Sequence, residues 1–313
     1  MKTIPLGLSG AQVSALCLGA MYFGTKENES VSFRLLDQYL DAGGSFIDTA
    51  NIYSHWVDGF RGGESESLLG RWFQQRRNRG RVFLASKVGF NYVGVEIGAS
   101  PKQIQEECEK SLRRLGVDTI DLYYIHKDDR STPLEETLAA LEALVKAGKV
   151  RFIGASNFLA WRLEEARWIS QTRGWSEFCC LQQRHTYLRP RPGTTFNPQV
   201  ALNDDLLDYG RSRPITLLAY SALLAGAYTR PERAVGEQYL GPDSDARLAA
   251  LKQVAAQKNA SPNQVILAWM LHGSPRVLPL IAASTSEQLS ENIRALDLSL
   301  SADEMALLDG AGA

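Results

Sequence analysis

The sequence has few cysteines and almost no net charge. Four cysteines in 313 residues, two of them adjacent at 179 and 180, cannot form a disulfide framework for a chain of this size. We therefore expect free, mostly buried thiols, with Cys179 and Cys180 on opposite faces of a strand. The 34 basic and 35 acidic residues leave a formal charge of −1. This balance excludes the basic field typical of proteins that bind nucleic acid or an acidic membrane.

Long hydrophobic runs are also missing. No segment approaches the ~18 apolar residues that a transmembrane helix needs, and the N-terminus has no apolar core long enough for a signal peptide. These absences predict a soluble, cytoplasmic protein. The sequence contains no Gly/Ser linker, low-complexity tract or internal repeat. We therefore expect residues 1–313 to form one domain.

Several common functional motifs are absent as well. No G-x-G-x-x-G follows a strand, no G-x-x-x-x-G-K-[ST] is present, and no G-x-S-x-G elbow occurs. The four histidines, at 55, 126, 185 and 272, lack the spacing of metal ligands. A Rossmann dinucleotide site, a P-loop, a serine hydrolase site and a metal site are therefore not supported.

Strand and helix signals alternate along the chain. Eight short apolar runs predict strands at 15–19, 45–49, 82–87, 120–126, 151–155, 178–183, 215–219 and 277–281. Three helix N-termini are predicted between strands, each with a capping residue followed by proline, at Ser100, Thr132 and Ser261. The alternation predicts an α/β fold with a parallel sheet. Residues 3–14 predict a short N-terminal β-hairpin that would close the bottom of a barrel.

Ionisable side chains stand at or near the ends of three predicted strands. Asp48 closes the second strand, with Tyr53 five residues later, while Lys87 and His126 close the third and fourth. In a parallel sheet these ends meet at one edge, and a buried lysine and aspartate are tolerated as a hydrogen-bonded pair. Each residue alone also suits a turn, cap or packing position. Their shared placement favours a functional site.

The set Asp48, Tyr53, Lys87 and His126 resembles the catalytic tetrad of the aldo-keto reductase superfamily, and the similarity runs through nearly the whole chain. The resemblance implies a (β/α)8 TIM barrel that reduces an aldehyde or ketone to the alcohol with NAD(P)H. Tyr53 would be the general acid, with its pKa lowered by Lys87, while Asp48 would hold Lys87 and His126 would orient the carbonyl oxygen.

Two alternatives to this enzyme stay open. One is a regulatory or binding subunit of the same fold that binds NADP(H) with little turnover. The other is a (β/α)8 enzyme of unrelated chemistry, because fold alone does not determine function.

The resemblance also implies a cofactor site along the C-terminal rim of the barrel. The nicotinamide carboxamide would be held by Ser156, Asn157 and Gln183, and the nicotinamide ring would stack on Tyr220. The next loop would wrap the pyrophosphate with Ser221, Leu223 and Gly226, although Ala222 stands where the family usually has proline. The turn after the first strand would lie beside the cofactor through Gly19, Ala20 and Met21.

The adenosine end is expected near the eighth strand. The Lys and Arg that form a 2′-phosphate clamp in some branches are replaced here by Ala282 and Gln288. Another branch has a pattern that this chain matches at Ser284, Gln288, Glu291 and Asn292. Ser284 could bind the 2′-phosphate, with Arg230 or Arg233 adding charge. NADPH is therefore the predicted cofactor, with NADH possible.

The loop after Tyr53 is rich in glycine and aromatic residues. Its residues His55, Trp56 and Phe60 either line one wall of the substrate pocket or pack on the rim. A mouth with polar walls favours a hydroxylated substrate such as a sugar or keto-sugar. The predicted partner is a small-molecule carbonyl compound. Composition carries no information on oligomeric state.

Overall fold

A computed structural model describes residues 1–312 of the chain. Ten strands occur in this range: β1 Thr3–Pro5, β2 Gln12–Ser14, β3 Cys17–Gly19, β4 Phe46–Asp48, β5 Phe83–Val88, β6 Ile120–Ile125, β7 Val150–Ser156, β8 Phe178–Arg184, β9 Thr216–Tyr220 and β10 Val277–Ile281. The last eight form a closed parallel barrel in the order β10-β3-β4-β5-β6-β7-β8-β9. The predicted α/β fold and (β/α)8 barrel are confirmed.

Helices follow the barrel strands and cover its outer surface. Their bounds are α1 Glu29–Asp41, α2 Glu64–Arg76, α3 Pro101–Leu115, α4 Leu134–Lys146, α5 Ala160–Arg173, α6 Asp204–Ser212, α7 Pro242–Gln257, α8 Pro262–His272, α9 Ser286–Arg294 and α10 Ala302–Gly310. Among residues 1–312, no helix combines the length and the apolar character required to cross a membrane.

The predicted N-terminal hairpin is present as the antiparallel pair β1 and β2, in which Ile4 lies opposite Val13. The turn between them rests on the first residues of β8 and β9. Gly7 donates its backbone N–H to Thr216 Oγ1 at 2.8 Å, and a Cβ at Gly7 would collide with the carbonyl of Cys179. Glycine is needed at this close approach. The hairpin therefore covers the N-terminal end of the barrel.

Alternation along the strands divides the core into two layers. In β5, Phe83 and Ala85 point into the barrel, whereas Leu84 and Val88 point toward the helices. The interior is filled by side chains such as Phe46, whose ring meets that of Phe83 edge-on at 5.2 Å. Lys87 continues the inward-facing series at the C-terminal end of its strand.

Two local predictions are wrong. Helix α4 begins at Leu134 with Pro133 at the N-cap, because the hydroxyl of Thr132 donates instead to Asp129 Oδ2 at 2.6 Å. Cys179 and Cys180 both belong to the cluster inside the barrel rather than to opposite faces. The reason is a register shift, since Ile153 pairs with Phe178 but Ala155 pairs with Leu181. The four cysteines are free and buried, as expected.

Candidate active site

A buried ion pair lies at the C-terminal end of the barrel. Parallel pairing puts Asp48 opposite Ala85, so Lys87, two residues further, points inward beside the carboxylate. Lys87 Nζ forms an ion pair with Asp48 Oδ1 and donates to the carbonyl of Thr49 at 2.8 Å and to Tyr53 OH at 2.7 Å. Both charged side chains are fully buried. Three acceptors saturate the ammonium group, which makes its burial tolerable.

Tyr53 is held against this pair by the loop that follows β4. Its hydroxyl accepts from Lys87 and lies 3.3 Å from Asp48 Oδ1. Burial, followed by the charge of Asp48, raises the pKa of Tyr53 well above its ordinary value of 10.0. The expectation that Lys87 brings this pKa toward neutrality is therefore wrong, because desolvation of the phenolate outweighs the nearby cation. The phenol keeps its proton at neutral pH.

His126 follows β6 and completes the predicted tetrad. Its backbone N–H donates to Val88 O at 2.7 Å, and its ring meets those of Tyr53 and Phe90 edge-on at 6.0 and 4.8 Å. Burial and then Lys87 lower the pKa of His126 well below 6.5, so the imidazole is neutral. Its Nδ1 is buried and has no hydrogen-bond partner among residues 1–312.

Gln182 belongs to the same cluster and has no role in the sequence prediction. Its Nε2 donates to Asp48 Oδ2 at 2.9 Å, and its side chain is almost fully buried. The signal was present, because alternation along β8 turns Gln182 inward and Gln183 outward. An amide that faces an apolar barrel interior needs a polar partner. Asp48 is that partner, but it lies on a distant strand, so the pairing is identified by the register of the assembled barrel and not by the sequence of β8.

The predicted carboxamide-binding residues lie next to the tetrad. Asn157 has a left-handed backbone with φ of 60°, and its Nδ2 donates to the carbonyl of His126 at 2.8 Å. Gln183 Oε1 accepts from the backbone N–H of Asn157 at 2.5 Å, and Ser156 Oγ accepts from the side-chain Nδ2 of Asn157 at 3.1 Å. Tyr220 OH donates to Asn157 Oδ1 at 2.7 Å. The four predicted residues therefore form one cluster, centred on Asn157.

The turn after β9 has a left-handed backbone with a basic side chain beside it. Ser221, Leu224, Ala225 and Gly226 all have positive φ, at 59°, 47°, 55° and 93°. Two N–H groups of the turn are bonded within it, from Leu224 to Ser221 O at 3.1 Å and from Gly226 to Leu223 O at 2.8 Å. The side chain of Arg230 adjoins this turn, since a Cβ at Gly226 would lie 3.1 Å from its Cδ. The guanidinium of Arg230 is therefore the group beside this turn that suits a pyrophosphate.

The turn after β3, predicted to border the cofactor, lies beside the tetrad. Gly19 pairs with Asp48, and the N–H of Ala20 donates to the carbonyl of Asp48 at 2.8 Å. The carbonyl of Met21 accepts from Ser54 Oγ at 2.8 Å. These contacts attach the turn to the loop that carries Tyr53.

The predicted adenosine residues divide into two groups. Ser284 is exposed between β10 and α9, and its backbone N–H donates to Gln288 Oε1 at 2.9 Å. Glu291 and Asn292 are instead bonded to the protein, to the hydroxyl of Ser261 and to the carbonyl of Ala282. Ser284 Oγ donates to Glu27 Oε1 at 2.7 Å. The acidic neighbour of Ser284 was missed, because 257 positions separate the two residues.

Aromatic rings surround the mouth above Tyr53. Trp56 is 45% exposed and meets the rings of Tyr53, His55 and Tyr22 edge-on at 6.4, 5.1 and 6.3 Å. Phe60 is half-buried on the same loop and shares none of the aromatic pairs found within the described chain. The structure therefore brings Trp56 to the site and adds Tyr22, which the sequence did not indicate.

Comparison with known proteins agrees with this geometry. The family profile described as "Aldo/keto reductase family" matches residues 15–313. Norsolorinic acid reductase stcV of Emericella nidulans is 35% identical over 95% of this chain and 78% of its own length. The oxidoreductase YrpG of Bacillus subtilis is 34% identical over 99% of this chain and 95% of its own. The thermostable aldo-keto reductase Tm1743, solved with the inhibitor epalrestat, superposes with a TM-score of 0.78 at 30% identity, covering 99% of both chains.

Proposed function

Because the chain belongs to the aldo/keto reductase family and is an NAD(P)H-dependent oxidoreductase, we propose that Tyr53 donates the proton when it reduces an aldehyde or ketone to the alcohol. The observation that carries the proposal is the 2.7 Å hydrogen bond from buried Lys87 Nζ to Tyr53 OH. When bound, the reduced nicotinamide supplies the hydride. The protein must supply the proton and neutralise the charge that develops on the oxygen.

The proton follows a short path in this site. As the carbonyl oxygen gains negative charge, it becomes a much stronger base than a phenolate and takes the proton of Tyr53. The phenolate that remains accepts from Lys87 Nζ, which Asp48 keeps in position and charged. Neutral His126 offers an N–H to the carbonyl oxygen from a ring 6.0 Å from that of Tyr53. Because burial makes Tyr53 a weaker acid in the ligand-free protein, the transfer depends on the basicity of the developing alkoxide and on Lys87, which stabilises the phenolate.

The cofactor would lie along the rim between the tetrad and α9. Ser156, Asn157 and Tyr220 would contact the nicotinamide end, and Gln183, whose amide bonds to the backbone of Asn157 and Phe158, would hold Asn157 in place. The turn at 221–226 would lie against the pyrophosphate with Arg230 beside it. The position of Arg230 against Gly226 supports the assignment, because a guanidinium is a strong phosphate partner. Gly19, Ala20 and Met21 would border the cofactor opposite that turn, and Ser284 would meet the adenosine ribose.

The substrate is proposed to be a sugar or keto-sugar. The exposed face of Trp56 suits the C–H face of a sugar ring, and His55 adds a polar group next to it. A second candidate is a ketone related to norsolorinic acid, since a relative with that name matches 95% of this chain. The aromatic rings of Trp56 and Tyr22 would stack on such a compound.

The test is the rate of NADH and NADPH oxidation with a panel of aldehydes, sugars, keto-sugars and norsolorinic acid, for the wild type and Tyr53→Phe. We expect Tyr53→Phe to lower turnover at least about a hundredfold, because general acid catalysis contributes about 10²–10⁴, with cofactor affinity unchanged. Tyr209→Phe is the matched control, since that phenol lies near Glu164 and belongs to none of the contacts of the tetrad. Near wild-type turnover in Tyr53→Phe would refute the assignment. Tight cofactor binding without turnover of any compound would favour the regulatory alternative.

A further inference from the structure

Glu27 is held rigidly at the end of the loop between β3 and α1. Its backbone N–H donates to Tyr22 O at 3.2 Å, and its carbonyl accepts from Gly24 N at 2.8 Å and from Ser32 Oγ at 3.0 Å. These bonds leave the loop little freedom to carry the side chain away. The carboxylate therefore has a defined position beside the start of α9.

The two carboxylate oxygens of Glu27 have different surroundings. Oε1 accepts from Ser284 Oγ at 2.7 Å. Oε2 is buried and has no hydrogen-bond partner among residues 1–312. A buried carboxylate oxygen without a donor is unfavourable. A ligand reaches the carboxylate from its other side, where the bond between Oε1 and Ser284 is exposed, and a ligand hydroxyl would donate to Oε1 there.

We propose that Glu27 makes this reductase prefer NADH, by accepting the 2′-hydroxyl of the adenosine ribose and repelling a 2′-phosphate. The inference rests on the proposed function, which puts the adenosine ribose at Ser284. It reverses the NADPH preference predicted from the sequence. In that prediction Ser284 binds the phosphate, whereas in the structure its hydroxyl proton points at a carboxylate.

No basic side chain forms an ion pair with Glu27 among residues 1–312. The positions of a basic clamp hold Ala282 and Gln288. Lys26 is turned onto the ring of Tyr22, with Nζ 4.3 Å from its centre. The pKa of Glu287 is lowered by hydrogen bonds from its own backbone and from Thr285, and Arg34 adds to this effect from nearby. A 2′-phosphate carries close to two negative charges at pH 7 and would meet another negative charge here.

A simpler reading is that the Glu27–Ser284 bond only ties the loop to α9. The two readings differ in what they affect. A structural tie would change stability and weaken both cofactors equally. A selectivity element changes the ratio of the two affinities, because only one cofactor carries the 2′-phosphate.

The experiment titrates the full-length protein with NADH and with NADPH, following tryptophan fluorescence, for the wild type, Glu27→Gln and Glu29→Gln. Glu29 is the matched control, because it lies two residues further and pairs with Arg71. We expect the wild type to bind NADH at least tenfold tighter, and Glu27→Gln to reduce this ratio at least tenfold by strengthening NADPH. Glu29→Gln should leave the ratio unchanged.

Ser284→Ala provides a second readout that does not depend on the folding of Glu27→Gln. We expect it to keep the NADH preference, because the charge of Glu27 remains. Specific loss of NADPH binding in Ser284→Ala would show that the serine recognises the phosphate and would overturn the inference. A wild type that prefers NADPH, or an unchanged ratio in Glu27→Gln, would overturn it too. Failure to bind either cofactor would instead refute the proposed function on which it rests.

Discussion

The bond between Gln182 and Asp48 offers a sharp test of how the site is held together. Replacing Gln182 by leucine removes the donor from Asp48 Oδ2 and leaves a buried carboxylate oxygen unsatisfied. A hydrogen bond to a charged group contributes about 1.5–3 kcal/mol. We therefore expect Gln182→Leu to lower the free energy of unfolding by that amount, a fall in Tm of roughly 2–4 °C per kcal/mol.

Gln182→Leu should lower the free energy of unfolding by less when residue 48 carries no charge. In an Asp48→Asn background the bond joins two amides and contributes about 0.5–1.5 kcal/mol. The double-mutant cycle should therefore show a coupling of about 1–2 kcal/mol. Gln171→Leu is the matched control, because its amide bonds to Glu177 on the surface and its loss should change stability by less than about 0.5 kcal/mol.

The assay is equilibrium unfolding in urea, followed by tryptophan fluorescence, for the two single variants, the double variant and the control. Turnover is measured in parallel. We expect kcat of Gln182→Leu to fall about tenfold, equivalent to about 1.4 kcal/mol of transition-state stabilisation, because Asp48 can then turn away from Lys87. Cofactor affinity should not change. Equal losses of stability in the wild-type and Asp48→Asn backgrounds would refute the reasoning.

Three further outcomes follow from the buried groups. Lys87→Met should lower the free energy of unfolding by about 3–5 kcal/mol, because it leaves Asp48 buried without its cation, and a loss below about 1 kcal/mol in urea unfolding would contradict this. Burial and Arg247 lower the pKa of His185 to about 4. Between pH ~6.5 and 4, the imidazole of His185 takes up a proton in the unfolded chain but not in the folded protein. The free energy of unfolding should therefore fall by about 3 kcal/mol as the pH drops toward 4. His185→Gln should flatten that decline. The four buried thiols should resist a thiol-specific reagent in the folded protein and react fully in urea, so rapid native labelling would contradict their burial.

Much of the fold and of the tetrad follows from local sequence. The eight predicted barrel strands all appear, because buried parallel strands need short apolar runs bounded by turn residues. The capping box at Ser261 forms as expected, since its partner Gln264 is three residues away. Asp48, Lys87 and His126 could be assigned to one edge of the sheet because each ends a strand. These properties depend on side chains that are neighbours in sequence.

The remaining features depend on groups that are distant in sequence, and only the tertiary structure decided them. The pKa of Tyr53 is raised rather than lowered, because burial by several strands and loops outweighs the single cation beside it. Gln182 meets Asp48 across 134 positions, and Glu27 meets Ser284 across 257. Strand register and loop packing create these contacts, and no periodicity within either segment encodes the partner. The sequence therefore determined the chemistry available to the site, while the closure of the barrel decided which charges face one another.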